Sequence, residues 1–175
     1  MWTSLGNGAD RLVRMVAYLG LFLFPALIFC TLYEVIARYG FNAPTIWAFD
    51  ITFMVHGMLF MLTGAYALQT NSHVRIDVLS SRLPTRVQHA ANLISYTFLF
   101  LPGIWIFGEA AVRRAHSAYI TDEVELVSAW GPFVWPFFVA LALGLVVLWL
   151  QAFVENIRHI VGVFTGHALL PPDTD

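Results

Sequence analysis

The chain has 175 residues, of which 59% are hydrophobic, 15% aromatic and only 11% charged. Soluble domains carry about 25% charged residues, so this composition excludes an ordinary soluble enzyme or a disordered chain and points to side chains that face lipid. A net charge of −2 offers no basic footprint for nucleic acid, and the single cysteine, Cys30, excludes an internal disulfide or a multi-thiolate metal site.

Four stretches reach the roughly 18 uncharged, mostly apolar residues that a spanning helix needs. Residues 1–14 read as a flank carrying Arg11 and Arg14, followed by a first span over 15–37. Its apolar run exceeds the ~7–15 residues of a signal peptide, and Glu34-Val35-Ile36-Ala37 offers no small-residue cleavage site, so a retained helix is expected. Pro25 inside it predicts a kink. Glu34 and Arg38 are spaced to pair along one helix face. Asn42-Ala43-Pro44 is turn chemistry, and Asp50 opens a second span over 50–69, where the helix start favours a carboxylate.

The loop with Arg75, Arg82 and Arg86 gives no clean amphipathic helix, because Pro84 interrupts it. It suits either anionic headgroups or a partner protein. The third span covers 87–109, with a kink expected at Pro102 and a Glu109–Arg113 pair at its end. An acidic connection with Asp122, Glu123 and Glu125 leads to the fourth span over 132–154. Residues 155–175 form the second flank.

Six arginines fall on the side of the termini (Arg11, Arg14, Arg75, Arg82, Arg86, Arg158) and three on the other (Arg38, Arg113, Arg114). The positive-inside rule then places both termini in the cytoplasm. The expected fold is an all-α integral membrane protein with four transmembrane helices. Trp47, Trp105, Trp130 and Trp135 would mark the outer interface and Trp149 the inner one.

Within the spans the polar residues are Thr31, His56, Thr63, Asn92, Ser95, Thr97 and Gln151, with no Asp, Glu or Arg at mid-depth. A self-sufficient carrier needs ionisable groups or broken helices there, so the chain is poorly equipped to move cargo alone. His56 lacks a convincing facing histidine for haem, since His89 sits too near the start of the third span. No cofactor and no metal are expected.

The run Arg38-Tyr39-Gly40-Phe41-Asn42-Ala43-Pro44-Thr45-Ile46-Trp47-Ala48-Phe49-Asp50, followed by His73-Val74-Arg75-Ile76-Asp77-Val78-Leu79, resembles a family signature. It is similar to the small, DctQ-like membrane subunit of tripartite ATP-independent periplasmic (TRAP) transporters. Many members carry two adjacent Glu after the Trp, whereas Phe49-Asp50 supplies one acid here. The resemblance implies a bacterial inner-membrane scaffold, not an enzyme. Its partners would be a large multi-span permease subunit and a periplasmic solute-binding protein that delivers an organic acid, with uptake driven by an ion gradient, usually sodium.

On this reading Arg38, Asn42, Trp47 and Asp50 hold the outer turn. His73, Arg75 and Asp77 hold the inner one, and Asp122, Glu123 and Glu125 help form a docking loop for the binding protein. The competing expectation is a haem-bearing or anchoring membrane subunit of a respiratory dehydrogenase.

Overall fold

The computed structural model describes residues 2–70 and 85–165. In lipid, a spanning backbone must satisfy its hydrogen bonds internally, so the long apolar stretches become helices. These are α1 (Trp2–Val35), closed by a π-helical turn at Ile36–Gly40, then α2 (Ala48–Gln69) and α3 (Thr85–Ser95). A second π-helical turn at Tyr96–Phe100 leads into α4 (Leu101–Ile120), and α5 (Trp135–Thr165) ends the series. Four stretches are long and apolar enough to cross a membrane: Gly8–Gly40, Ala48–Gln69, Ala90–Ile120 and Trp135–Val161. The four-helix, all-α expectation is met, and among the described residues the only β-type contact is an isolated bridge between Val124 and Phe133.

The helices outrun the spans read from sequence. Residues expected to form the first flank belong to α1, and the third helix continues through Arg113 and Arg114 to Ile120. Glu109 and Arg113, expected at the end of the span, lie within the helix and do not stop it because they pair along it at 2.7 Å. This extension also moves Trp105. It packs edge-on to Trp149 at 5.4 Å between ring centres, so the two share one depth and do not mark opposite interfaces.

The expected kink at Pro102 takes a specific form. A proline in a helix clashes with the carbonyl four residues earlier and donates no hydrogen bond. Here the chain inserts a π turn just before it, with the Leu101 N–H donating to the Tyr96 carbonyl five residues back. Pro25, by contrast, lies within an unbroken α1.

The last helix is the hub: α5 packs against α1, α2, α3 and α4, while α1 and α2 pack on each other. Val13 and Val16 of α1, Leu62 and Ala65 of α2, and Val147 of α5 form one buried cluster. Between α4 and α5 the contact is made of small residues, with Gly108, Ala111, Ala115 and Ala118 buried along one face of α4. The α2–α5 seam is tighter still. A methyl group on Gly144 would sit 2.5 Å from the Met61 carbonyl oxygen, and one on Gly57 would sit 2.6 Å from the Phe137 ring. Large apolar residues such as Phe22, Phe98 and Leu99 point outward, at 77–80% exposure, as a bilayer permits.

Candidate functional site at the two ends of the bundle

Apart from the exposed Glu109–Arg113 pair partway along α4, polar chemistry collects at the two ends of the helices. The loop end carries the connections 41–47 and 121–134; the terminal end carries the start of α1 and the end of α5.

At the loop end, Glu34 is the knot. Its Oε1 accepts from Arg38 Nε (2.8 Å) and Nη2 (2.5 Å), and its Oε2 accepts from the backbone N–H of Thr45 (3.1 Å) and from the Thr45 hydroxyl. The pair expected along α1 therefore also captures the chain that leaves it. Asn42 takes a left-handed conformation at φ 53°, which its short side chain tolerates better than most. The Ala43 N–H closes the turn on the Ala37 carbonyl at 2.9 Å. Trp47 stacks on Tyr33 with ring centres 5.5 Å apart. Asp50 lies in the first turn of α2 and accepts a hydrogen bond from the Ser128 hydroxyl.

Arg38, Asn42, Trp47 and Asp50 thus sit in one connection but work on different partners. Thr45 and Ser128 complete their chemistry, and no local pattern in the sequence singles them out. Ser128 is 78 positions from the residue it ties.

The acidic connection is a folded strap. Asp122 turns the chain at φ 46° and is exposed. The Glu125 N–H donates to Pro132 O (2.9 Å) and the Val134 N–H to Glu123 O (3.1 Å), giving a short hairpin. Glu123 receives a two-pronged contact from Arg114, at 2.5 and 2.6 Å. That guanidinium also lies 4.7 Å over the Phe138 ring. The hydrogen bond from Arg114, opposed by desolvation and helped by its charge, holds the Glu123 carboxyl below the ordinary carboxylate value. Glu125 accepts from the Val127 N–H at 3.3 Å. Glu123 is therefore engaged by Arg114 at the surface, while Asp122 is exposed.

At the terminal end the sequence reading missed a buried cluster. Arg158 donates to Asp10 Oδ2 (2.7 Å) and to Glu155 Oε1 (2.5 Å). Gln151, wholly buried, reaches Asp10 Oδ1 (3.4 Å) and Glu155 Oε1 (3.2 Å), and Gln69 donates to the Asp10 carbonyl at 3.3 Å. Nearby, Asn156 and Thr97 are hydrogen-bonded at 3.1 Å, joining α5 to the π turn. The cluster links α1, α2 and α5, and it places the start of α1 and the end of α5 at the same end of the bundle. A signal existed: Gln151, Glu155 and Arg158 recur at helical spacing, a polar stripe on one face of the last helix.

His73, Arg75 and Asp77 lie outside the described residues. His56 is exposed on α2, and among the described residues no group of three or more His, Cys, Asp or Glu converges as a metal site would require. A mostly apolar groove of about 240 Å³ between α4 and α5 is lined mainly by Ile104, Trp105, Leu145 and Trp149, with Glu109 on its wall.

Comparison with known proteins places the sequence in a family. Residues 27–162 match the family described as "Tripartite ATP-independent periplasmic transporters, DctQ component". The chain is similar to the "C4-dicarboxylate TRAP transporter small permease protein DctQ" of Vibrio cholerae serotype O1. Identity is 24% over 111 residues, covering 60% of this chain and 47% of that protein. The chain thus aligns with about half the length of the curated relative it matches. No solved structure matches. The family match leaves the haem-bearing reading without support. Since it runs through most of the sequence and all four apolar helices, the chain belongs to the DctQ family: it is a small permease component of a TRAP transporter, a multi-pass membrane protein and not an enzyme.

Proposed function

We propose that this chain is the stationary membrane scaffold of an organic-acid uptake system in the bacterial inner membrane. It steadies a large multi-span permease subunit that carries the cargo, and both of its termini face the cytoplasm. The observation that carries this reading is the distribution of polar groups. Among the described residues, the ion pairs of Glu34, Glu123, Asp10 and Glu155 lie toward the two ends of the bundle, and the pair partway along α4, Glu109–Arg113, is exposed on the outer surface rather than in the interior. The seams between are closed by Val, Leu, Ala and Gly. A path for a charged solute needs ionisable or backbone groups at mid-depth, so such an interior suits a support.

The outer strap with Asp122, Glu123 and Glu125 contributes to the platform on which a periplasmic solute-binding protein docks. Asp122 offers an exposed charge, while Glu123 and Glu125 keep the strap in shape. Arg38, Asn42, Trp47 and Asp50 maintain the outer turn, and His73, Arg75 and Asp77 the inner one. The name of the Vibrio cholerae relative supports a small carboxylate as the cargo of the assembly, and sodium is the coupling ion we infer for it.

The test is reconstitution. Vesicles holding this chain, the large subunit and the binding protein should take up a C4-dicarboxylate when an inward sodium gradient is imposed, and vesicles holding this chain alone should not. Uptake by the lone chain would overturn the scaffold reading. Uptake that ignored sodium would overturn only the coupling.

A further inference from the structure

A cavity of about 210 Å³ lies beneath the outer strap, and two carboxylates, Asp50 and Glu125, line it together with Phe53, Met54, Phe137 and Phe138. It is smaller than the roughly 300–1,000 Å³ of sites that enclose a whole organic ligand, so it fits a headgroup-sized fragment.

Its charge is uncompensated. Among the described residues, Glu34, Glu109, Glu123 and Glu155 each have an arginine, whereas Asp50 and Glu125 are in no ion pair. One oxygen of each acid is engaged internally, Asp50 Oδ2 by the Ser128 hydroxyl and Glu125 Oε1 by the Val127 N–H. The starts of α2 and α5 border the cavity and contribute about half a positive charge each, which two full carboxylates outweigh. A cation is favoured, and aromatic walls favour an ammonium over a compact metal ion.

The position of the cavity identifies the source of that ammonium. Asp50 and Phe137 lie in the first turns of their helices, at the level of Trp47 and Trp135, where lipid headgroups sit. Phe53 is 64% exposed on the outer surface of α2. The tip of the strap turns Leu126 and Val127 outward at 90% and 93% exposure, an arrangement unfavourable in water and favourable at the border of headgroups and acyl chains. Arg114 lies over Phe138, on the same wall, and its contact with Glu123 engages two of its five N–H donors. Its other three N–H donors could meet a phosphodiester that followed the ammonium.

We propose that this cavity binds the headgroup of an outer-leaflet aminophospholipid of the phosphatidylethanolamine class. The ammonium lies between Asp50 and Glu125 and the first acyl carbons run down Phe53.

The full chain, purified in mild detergent, is exposed to equimolar phosphatidylethanolamine and phosphatidylglycerol, and retained lipid is counted by native mass spectrometry. Wild type should retain the ethanolamine lipid about tenfold over the glycerol lipid. D50N/E125Q keeps the acceptors for Ser128 and Val127 but removes the charge, and should lose that preference; Glu109→Gln should keep it. Met54→Trp fills the cavity while leaving both acids, and should also lose the preference, which decides the matter if the double variant fails to fold. Equal retention of the two lipids by wild type would overturn the proposal. So would an unchanged preference in D50N/E125Q, and so would loss of binding-protein docking in that variant with lipid retention intact.

Discussion

Arg158 holds two carboxylates at once, Asp10 148 positions away and Glu155 one turn back. Removing one member of a buried ionic group leaves the others uncompensated, which typically costs 3–5 kcal/mol. Because the side chain is about one fifth exposed, Arg158→Met should lower stability by about 3 kcal/mol, the low end of that range, seen as a lower unfolding temperature in detergent. Adding Asp10→Asn and Glu155→Gln to it should restore most of the loss, since no lone charge then remains. If the triple variant is no more stable than Arg158→Met, the ionic account of this cluster fails.

Glu123 gives a second prediction at this scale. Its carboxyl is held below the ordinary value of 4.5 by Arg114. The folded state therefore binds that proton less readily than the unfolded chain does. The contribution is fully present above the ordinary value and is lost as the pH falls through the lowered one. Unfolding curves of wild type and Glu123→Gln should differ at neutral pH and converge in acid. A gap that persisted in acid would mean that Glu123 acts through packing alone.

These two residues also show where sequence reading stops. The Glu34–Arg38 and Glu109–Arg113 pairs are legible because a helix brings fourth neighbours together, and the turn at Asn42 is legible because few residues tolerate its backbone. The partners of Asp10 and Asp50 are tertiary: nothing near Asp10 announces Arg158, and nothing near Asp50 announces Ser128. Asp10 was further obscured by its place in a stretch that reads as a flank, since hydropathy marks where a chain can enter lipid and says little about where its helix begins.

At the scale of elements, the α2–α5 seam rests on glycines that let the two backbones meet. Gly144→Ala would push a methyl group to 2.5 Å from the Met61 carbonyl oxygen, a backbone atom that cannot swing aside. Overpacking of this kind costs about 1–3 kcal/mol, and a lower unfolding temperature should report it. Gly64→Ala, where nothing lies within 4 Å, should be neutral or gain up to about 1 kcal/mol from helix propensity. Equal effects from the two would argue against close approach as the reason for Gly144. The periodic spacing of Gly108, Ala111, Ala115 and Ala118 was open to inspection in the sequence, but which helix it would face was not.

For the molecule as a whole, the loop end is one connected structure: Glu34 ties α1 to its exit, Asp50 ties α2 to the strap, and Arg114 ties α4 to the same strap. If the outer turn keeps the assembly in shape, uptake by the complete transporter should fall severalfold with Trp47→Ala or Asp50→Ala, while the binding protein alone keeps its affinity for solute. Full uptake with normal assembly in both variants would remove the turn from the functional account. Four membrane helices and the family signature were evident from the sequence; the buried latch at the terminal end and the folded strap at the other came only from the three-dimensional arrangement.

The π turn at Tyr96–Phe100 also works as a phase adjuster. An α-helix advances by about 100° per residue, and a π turn accommodates one residue more than an α turn. At the start of the insertion Tyr96 meets His159, and downstream the stripe from Ile104 to Ala118 lies buried on the same last helix. Shortening the turn by one residue at the outward-facing Leu99 would twist these two halves out of step by about that angle, and only one could then keep its seat on α5.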